Sequence, residues 1–249
     1  MSKIFGFVGV VLVFFSSIIL TAAQEKDNIQ TNSLSKNQTL VAPPTESALV
    51  AESFKLRRGA REFNFEIGYS PFEPTNFNGR KEFNTAGRKL ALINFRLGRV
   101  IGTKRNVTYS YSFGITPLIV ALQNEVKNKT YALPVAMPAV APTVRETSYA
   151  FGVAPANFRF DFAAKNRVKP FLQAGAGVLI FNKAFPIPES CRLQFTGDFG
   201  GGLMIHQTPD RAWFLGYKYF HISNGNQTPR RFNPGFNANV FYVGYSFFK

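Results

Sequence analysis

Sulfur and imidazole are scarce in this chain. Its 249 residues include one cysteine, Cys191, and two histidines, His206 and His221. One thiol cannot close an internal disulfide, and so small a supply of thiols and imidazoles argues against a Cys/His metal centre. No metal ion and no organic cofactor is implied. Acidic residues are also few: 14 Asp and Glu stand against 29 Lys and Arg, for a formal charge of +15. The N-terminus, MSKIFGFVGVVLVFFSSIILTAAQ, carries one early Lys, an apolar run from Ile4 to Leu20 and then Thr21-Ala22-Ala23. Residues 1–23 are built as a secretory signal cleaved after Ala23, with an uncleaved anchor as the alternative for so long an apolar run. No cysteine follows it, which argues against a lipoprotein. An exported chain of this charge is expected to meet anionic lipid head groups and no nucleic acid.

What is abundant is Phe, at 28 residues, with 20 Gly and 9 Tyr, a mixture that suits strands with one bulky and one small face. Residues 24–60 come first, a polar, flexible leader containing Pro43-Pro44, with a short helix expected near Ser47–Leu56. From Phe63 the texture becomes alternating. Phe63, Phe65, Ile67 and Tyr69 take one face while Asn64, Glu66, Gly68 and Ser70 take the other. The same alternation runs through Ala91–Gly98 and Val107–Ile115, and further strands are predicted near 147–162, 168–181, 191–206, 211–223 and 236–248. The fourth loses phase at Pro155, where a bulge would bring Phe158, Phe160 and Phe162 onto the apolar face.

The face opposite the bulky residues is dominated by Gly, Ser, Thr and isolated charges. Such residues fill the interior of a narrow barrel, while Phe, Tyr, Val and Leu face lipid. A soluble lipocalin-like barrel would want the reverse. Connection lengths agree. Gly102–Arg105, Ala164–Arg167 and Gln207–Asp210 are short, and they alternate with longer connections near 71–88, 123–146, 182–190 and 224–235. Short periplasmic turns alternating with longer outer loops are expected of outer-membrane barrels. The expected fold over 61–249 is all-β, an eight-stranded antiparallel up-and-down transmembrane barrel in the outer membrane. Its last strand, VFYVGYSFFK, ends on Lys249 where an aromatic residue is usual. The inward charges Glu66, Arg96, Asp198 and Lys218 are expected to form a structural network. His206 lies near the periplasmic end without an assigned role.

Parity places the candidate chemistry in the hairpin 211–249. Trp213, Leu215, Tyr217 and Tyr219 are outward, and His221 and Ser223 continue that face, with α-carbons roughly 6–7 Å apart. On strand eight, Asn237 and Asn239 lie on the same face near the same rim. A serine, an imidazole that can take its proton and an amide that can orient the ring are the parts of a nucleophile, base and orienter set. The plainer reading is an interfacial strand end, because His, Ser and Asn are ordinary there and Asn-Gly is a turn dipeptide.

The C-terminal third resembles the lipid A 3-O-deacylase family of outer-membrane barrels. The shared residues are His221-Ile222-Ser223-Asn224-Gly225, Asn233-Pro234-Gly235-Phe236-Asn237 and Val243-Gly244-Tyr245-Ser246-Phe247. The resemblance implies an esterase with Ser223 as nucleophile and His221 as general base. Asn224, with the backbone amides after it, would be the oxyanion donor. Asn237 matches the position of the family's Glu, and Asn239 is the alternative orienter. Glycine also departs from the pattern, since Gly225 comes one place early and Asn226 stands where the family has Gly. The implied partner is lipid A, or lipopolysaccharide, in the outer leaflet. Arg230 and Arg231 are candidate phosphate ligands, and Arg80, Lys81, Lys127 and Lys129 weaker ones. A homodimer is left open. The competing function is a non-catalytic small barrel, an adhesin or structural protein with a degraded site.

Overall fold

In a computed structural model the described residues are 54–71, 88–127, 144–186, 190–227, 233 and 235–249. They belong to one compact unit, residues 44–249, while the other unit, residues 1–43, lies outside them, as does the expected signal. Eight antiparallel strands close into a barrel in chain order: β1 (Arg61–Ser70), β2 (Lys89–Lys104), β3 (Val107–Lys127), β4 (Val144–Phe162), β5 (Val168–Phe185), β6 (Cys191–Thr208), β7 (Arg211–Ser223) and β8 (Phe236–Phe248). β1 pairs with β8, so the barrel has no free edge. Phe63, Ile67, Leu97, Phe199, Trp213 and Phe241 are among the large apolar residues exposed on its outer face. In water that surface would be a liability, whereas in a bilayer it is the lipid contact. The ladder slips between Val153 and Ala156, and beyond the slip Asn157 and Asp161 turn inward, as the phase change at Pro155 predicts.

The strands differ from the sequence reading mainly in length. β3 runs for 21 residues and β4 for 19, where roughly 9–11 residues suffice for a tilted crossing. Pairing continues through Asn124 with Glu146 to Lys127 with Val144, so the connection is shorter than the 123–146 expected. β5 likewise extends to Phe185. At the opposite end, β2 gains a bulge between Val100 and Gly102 and turns at Arg105-Asn106 instead of 102–105. Both turn residues have positive φ, 47° and 65°, the backbone of the two-residue hairpin turn whose twist matches the strands.

The lumen is less polar than alternation implies. At the long-loop end it is filled by apolar residues, including Leu90, Ile119, Phe181, Phe185, Ile222 and Phe236. Phe181 stacks on Phe185 with ring centroids 4.1 Å apart, and Phe236 meets Phe185 edge-on at 5.2 Å. Below this plug, Glu66 accepts from Lys218 Nζ at 2.6 Å and Asn94 Nδ2 at 2.9 Å, with Arg96 Nη2 at 3.1 Å. A second buried carboxylate, Glu62, takes a two-pronged contact from Arg159 at 2.7 and 2.8 Å and the Ser246 hydroxyl at 2.7 Å. A further apolar cluster around Phe171, Met204, Phe214 and Phe248 fills the short-turn end. Gly244 makes room there, because a Cβ on it would fall 2.1 Å from Phe214 Cζ.

Residues 54–60, the end of the polar leader, pack into this end. Leu56 is buried in the cluster, and Lys169 Nζ donates to the Phe54 carbonyl at 2.6 Å. His206 lies between the rings of Phe54 and Phe248, at 6.0 and 5.6 Å, within the barrel floor. Of the helix expected near 47–56, residues 47–53 lie outside the described residues, and 54–56 are not helical.

Candidate active site

The β7–β8 hairpin sets the site by register. His221 lies directly opposite Asn237, and Tyr219 opposite Asn239. The ring Nδ1 of His221 is 2.6 Å from Asn237 Oδ1. An amide oxygen only accepts, so Nδ1 carries the proton and donates it, leaving Nε2 as the free basic nitrogen. Asn237 is fully buried, which fixes its amide against the ring. Asn239 is engaged elsewhere, its Oδ1 accepting from the Tyr217 hydroxyl. Gly235, with φ of 56°, passes close to the other side of the ring. A Cβ there would stand 3.5 Å from His221 Cε1.

Ser223 closes β7 on the same outward face and is partly exposed. Among the described residues its hydroxyl makes no hydrogen bond to the His221 ring. Its neighbour across the ladder is Phe195, and that of His221 is Gly197. A side chain at Gly197 would have no atom within 4 Å, so an open gap borders the imidazole on the lipid side.

Asn224 turns the other way. It is fully buried, and its Nδ2 donates to Ser190 Oγ at 3.1 Å. Its Oδ1 accepts the Asn226 amide at 2.9 Å, and its own amide donates to Asn233 Oδ1 at 3.1 Å. Its side chain is a strut that ties the turn after Ser223 to the β5–β6 connection, which leaves the backbone amides after it as the oxyanion donors of the sequence expectation. Gly225, with φ of 62°, keeps an amide that no acceptor takes among the described residues.

Residues 93–246 match the family described as lipid A 3-O-deacylase (PagL). The chain belongs to the PagL family. No curated protein matches it. Among solved structures, the outer-membrane enzyme PagL is similar at 15% identity, with a TM-score of 0.45, covering 74% of this chain and 97% of that one. Neisserial surface protein A is similar at 13% identity and TM-score 0.45, covering 76% and 99%. Ail, the attachment invasion locus protein of Yersinia pestis, is similar at 14% identity and TM-score 0.35, covering 78% and 100%. This PagL-family chain is an outer-membrane β-barrel.

Arg230 and Arg231 lie outside the described residues, as do Arg80, Lys81 and Lys129. The barrel brings His221 and Asn237 into contact, keeps Ser223 on their face, and separates Asn239 from them. Sequence reasoning missed Ser190 and Asn233 as supports of the turn. Asn233 was visible in the Asn-Pro-Gly segment, but its bond to the Asn224 amide depends on how the β7–β8 connection folds back on itself, and that of Asn224 to Ser190 on how two connections meet.

Proposed function

We propose that this PagL-family barrel is a serine esterase that removes an ester-linked acyl chain from lipid A in the outer leaflet. The observation that carries the reading is the 2.6 Å contact between His221 Nδ1 and Asn237 Oδ1, which directs the basic Nε2 away from strand β8 on the face that bears Ser223. In this mechanism Ser223 Oγ attacks the acyl carbonyl and gives its proton to His221 Nε2. The tetrahedral intermediate collapses, the C–O bond to the sugar breaks, and the imidazolium protonates the departing oxygen. Water, deprotonated by the same nitrogen, then attacks the acyl-serine and releases the fatty acid. The Gly225 amide is the donor available to the oxyanion, with Asn224 holding it in position. Asn237 keeps the tautomer but supplies no negative charge to the imidazolium. Arg230 and Arg231 are proposed to pair with lipid A phosphates.

A non-catalytic barrel is the second reading. Two observations favour it: the missing Ser223–His221 hydrogen bond and the amide at position 237. Catalytic hydrogen bonds often tighten only when substrate is bound, so the first does not exclude the enzyme.

Expression of the full chain in a Gram-negative host, followed by mass spectrometry of extracted lipid A, separates the two. The enzyme is expected to remove one hydroxyacyl chain, and Ser223→Ala or His221→Ala to abolish the loss. Unchanged lipid A from cells carrying folded wild-type barrel would leave the non-catalytic reading standing.

A further inference from the structure

The short-turn rim carries a row of like charges that the esterase reading does not use. Arg61 opens β1 directly opposite Arg99 of β2. On its other side, the Arg61 amide donates to the Lys249 carbonyl at 2.7 Å, and the Lys249 amide to the Arg61 carbonyl at 2.8 Å. Lys249, just past the end of β8, therefore stands beside Arg61 of β1 and Arg99 of β2. All three are exposed on the outward face, each two residues from an apolar residue of the lipid belt: Phe247, Phe63 and Leu97.

Like charges directly opposed on one face of a sheet destabilise it. Among the described residues no Asp or Glu side chain lies within ion-pairing distance of the three cations. The exposed acid of this end, Asp210, accepts from the Thr208 hydroxyl at 2.6 Å and lies 3.7 Å from Arg211. Arg57 and Arg58 add further exposed positive charge just before β1.

We propose that Lys249, Arg61 and Arg99 form a binding site for the phosphodiester head group of an anionic phospholipid in the inner leaflet. The depth fits. Trp213 packs edge-on against Tyr245 at 4.8 Å, and Tyr245 against Phe247 at 4.8 Å, forming the aromatic girdle that marks the membrane interface. Cations just beyond such a girdle stand at the level of the phosphates. The chemistry also fits, because guanidinium forks match phosphate oxygens and Lys249 supplies a point charge. A bulk-phase cell-wall polyanion would be met by charges facing down from the turns, whereas these three face the lipid side. The site needs only the barrel, so it holds whether or not Ser223 is a nucleophile.

The test is native mass spectrometry of the full chain in detergent, offered phosphatidylglycerol and phosphatidylcholine of identical acyl chains at equal concentration. The wild type is expected to retain phosphatidylglycerol by on the order of tenfold over phosphatidylcholine. The triple variant Arg61→Gln, Arg99→Gln, Lys249→Gln is expected to approach parity, and Arg192→Gln, at the long-loop end, to keep the preference. Equal retention by the wild type, or a preference that survives the triple change, overturns the site. If the triple variant does not fold, a salt series on the wild type decides: the preference must fall as ionic strength rises, and a salt-independent preference overturns the proposal. Sedimentation with purified cell-wall sacculi without any lipid preference would assign the rim to the wall instead.

Discussion

Position 237 carries a neutral amide against an imidazole that must become positive when Ser223 gives up its proton. Asn237 Oδ1 can hold the Nδ1 proton at 2.6 Å, so the ring is oriented and its tautomer is set. A carboxylate at that position would add charge stabilisation in a buried setting, where it is strongest. Asn237→Glu is therefore expected to raise kcat/KM for lipid A by about tenfold or more, read as the rate of hydroxyacyl release. A rate unchanged by Glu would mean that residue 237 does not stabilise the protonated base. Asn239, whose oxygen is held by Tyr217, should not substitute for it.

The hairpins show which elements a sequence can announce. β7 and β8 begin and end where alternation and the Asn-Gly and Asn-Pro-Gly signals place them, because one face of each is lipid and the other is lumen. The outer parts of β3 and β4 were not legible. Their segments Gln123–Lys127 and Val144–Glu146 lack bulky alternation, although the backbone ladder continues through them. The β2–β3 turn was displaced for a similar reason, since the bulge at Val100–Gly102 leaves no compositional mark. Its energetics are testable. Asn106 sits at φ of 65°, a conformation that costs a β-branched residue roughly 1–2 kcal/mol. Asn106→Val is expected to lower barrel stability by about that amount in denaturant titration in micelles, and Asn106→Gly to leave it close to wild type.

At the scale of the molecule, the barrel is held shut by its contents. Glu66 is fully buried between Lys218 and Arg96, and removing one side of such an arrangement strands the charges that remain. Glu66→Ala is expected to destabilise the barrel by about 3–5 kcal/mol, measured by unfolding in micelles. A change under about 1 kcal/mol would mean that water or a neighbouring acid such as Asp198 compensates the two cations. The same packing explains why a cationic exterior persists. The lumen consumes its own carboxylates, Glu62, Glu66 and Asp161, in pairs with Arg159, Arg96 and Lys218, and few remain to neutralise the short-turn rim.

The number of strands, the lipid-facing side of each, the bulge at Pro155 and the shared face of His221 and Ser223 follow from the sequence alone. Period-two alternation and loop length are local properties, and a closed barrel obeys both. The choice of Asn237 over Asn239, the burial of Asn224 against Ser190, the apolar plug around Phe185 and the opposition of Lys249, Arg61 and Arg99 were decided by the tertiary structure. Each depends on which residue of one strand faces which residue of the next. Register is set jointly by all eight strands closing on one another, and no single segment carries that information.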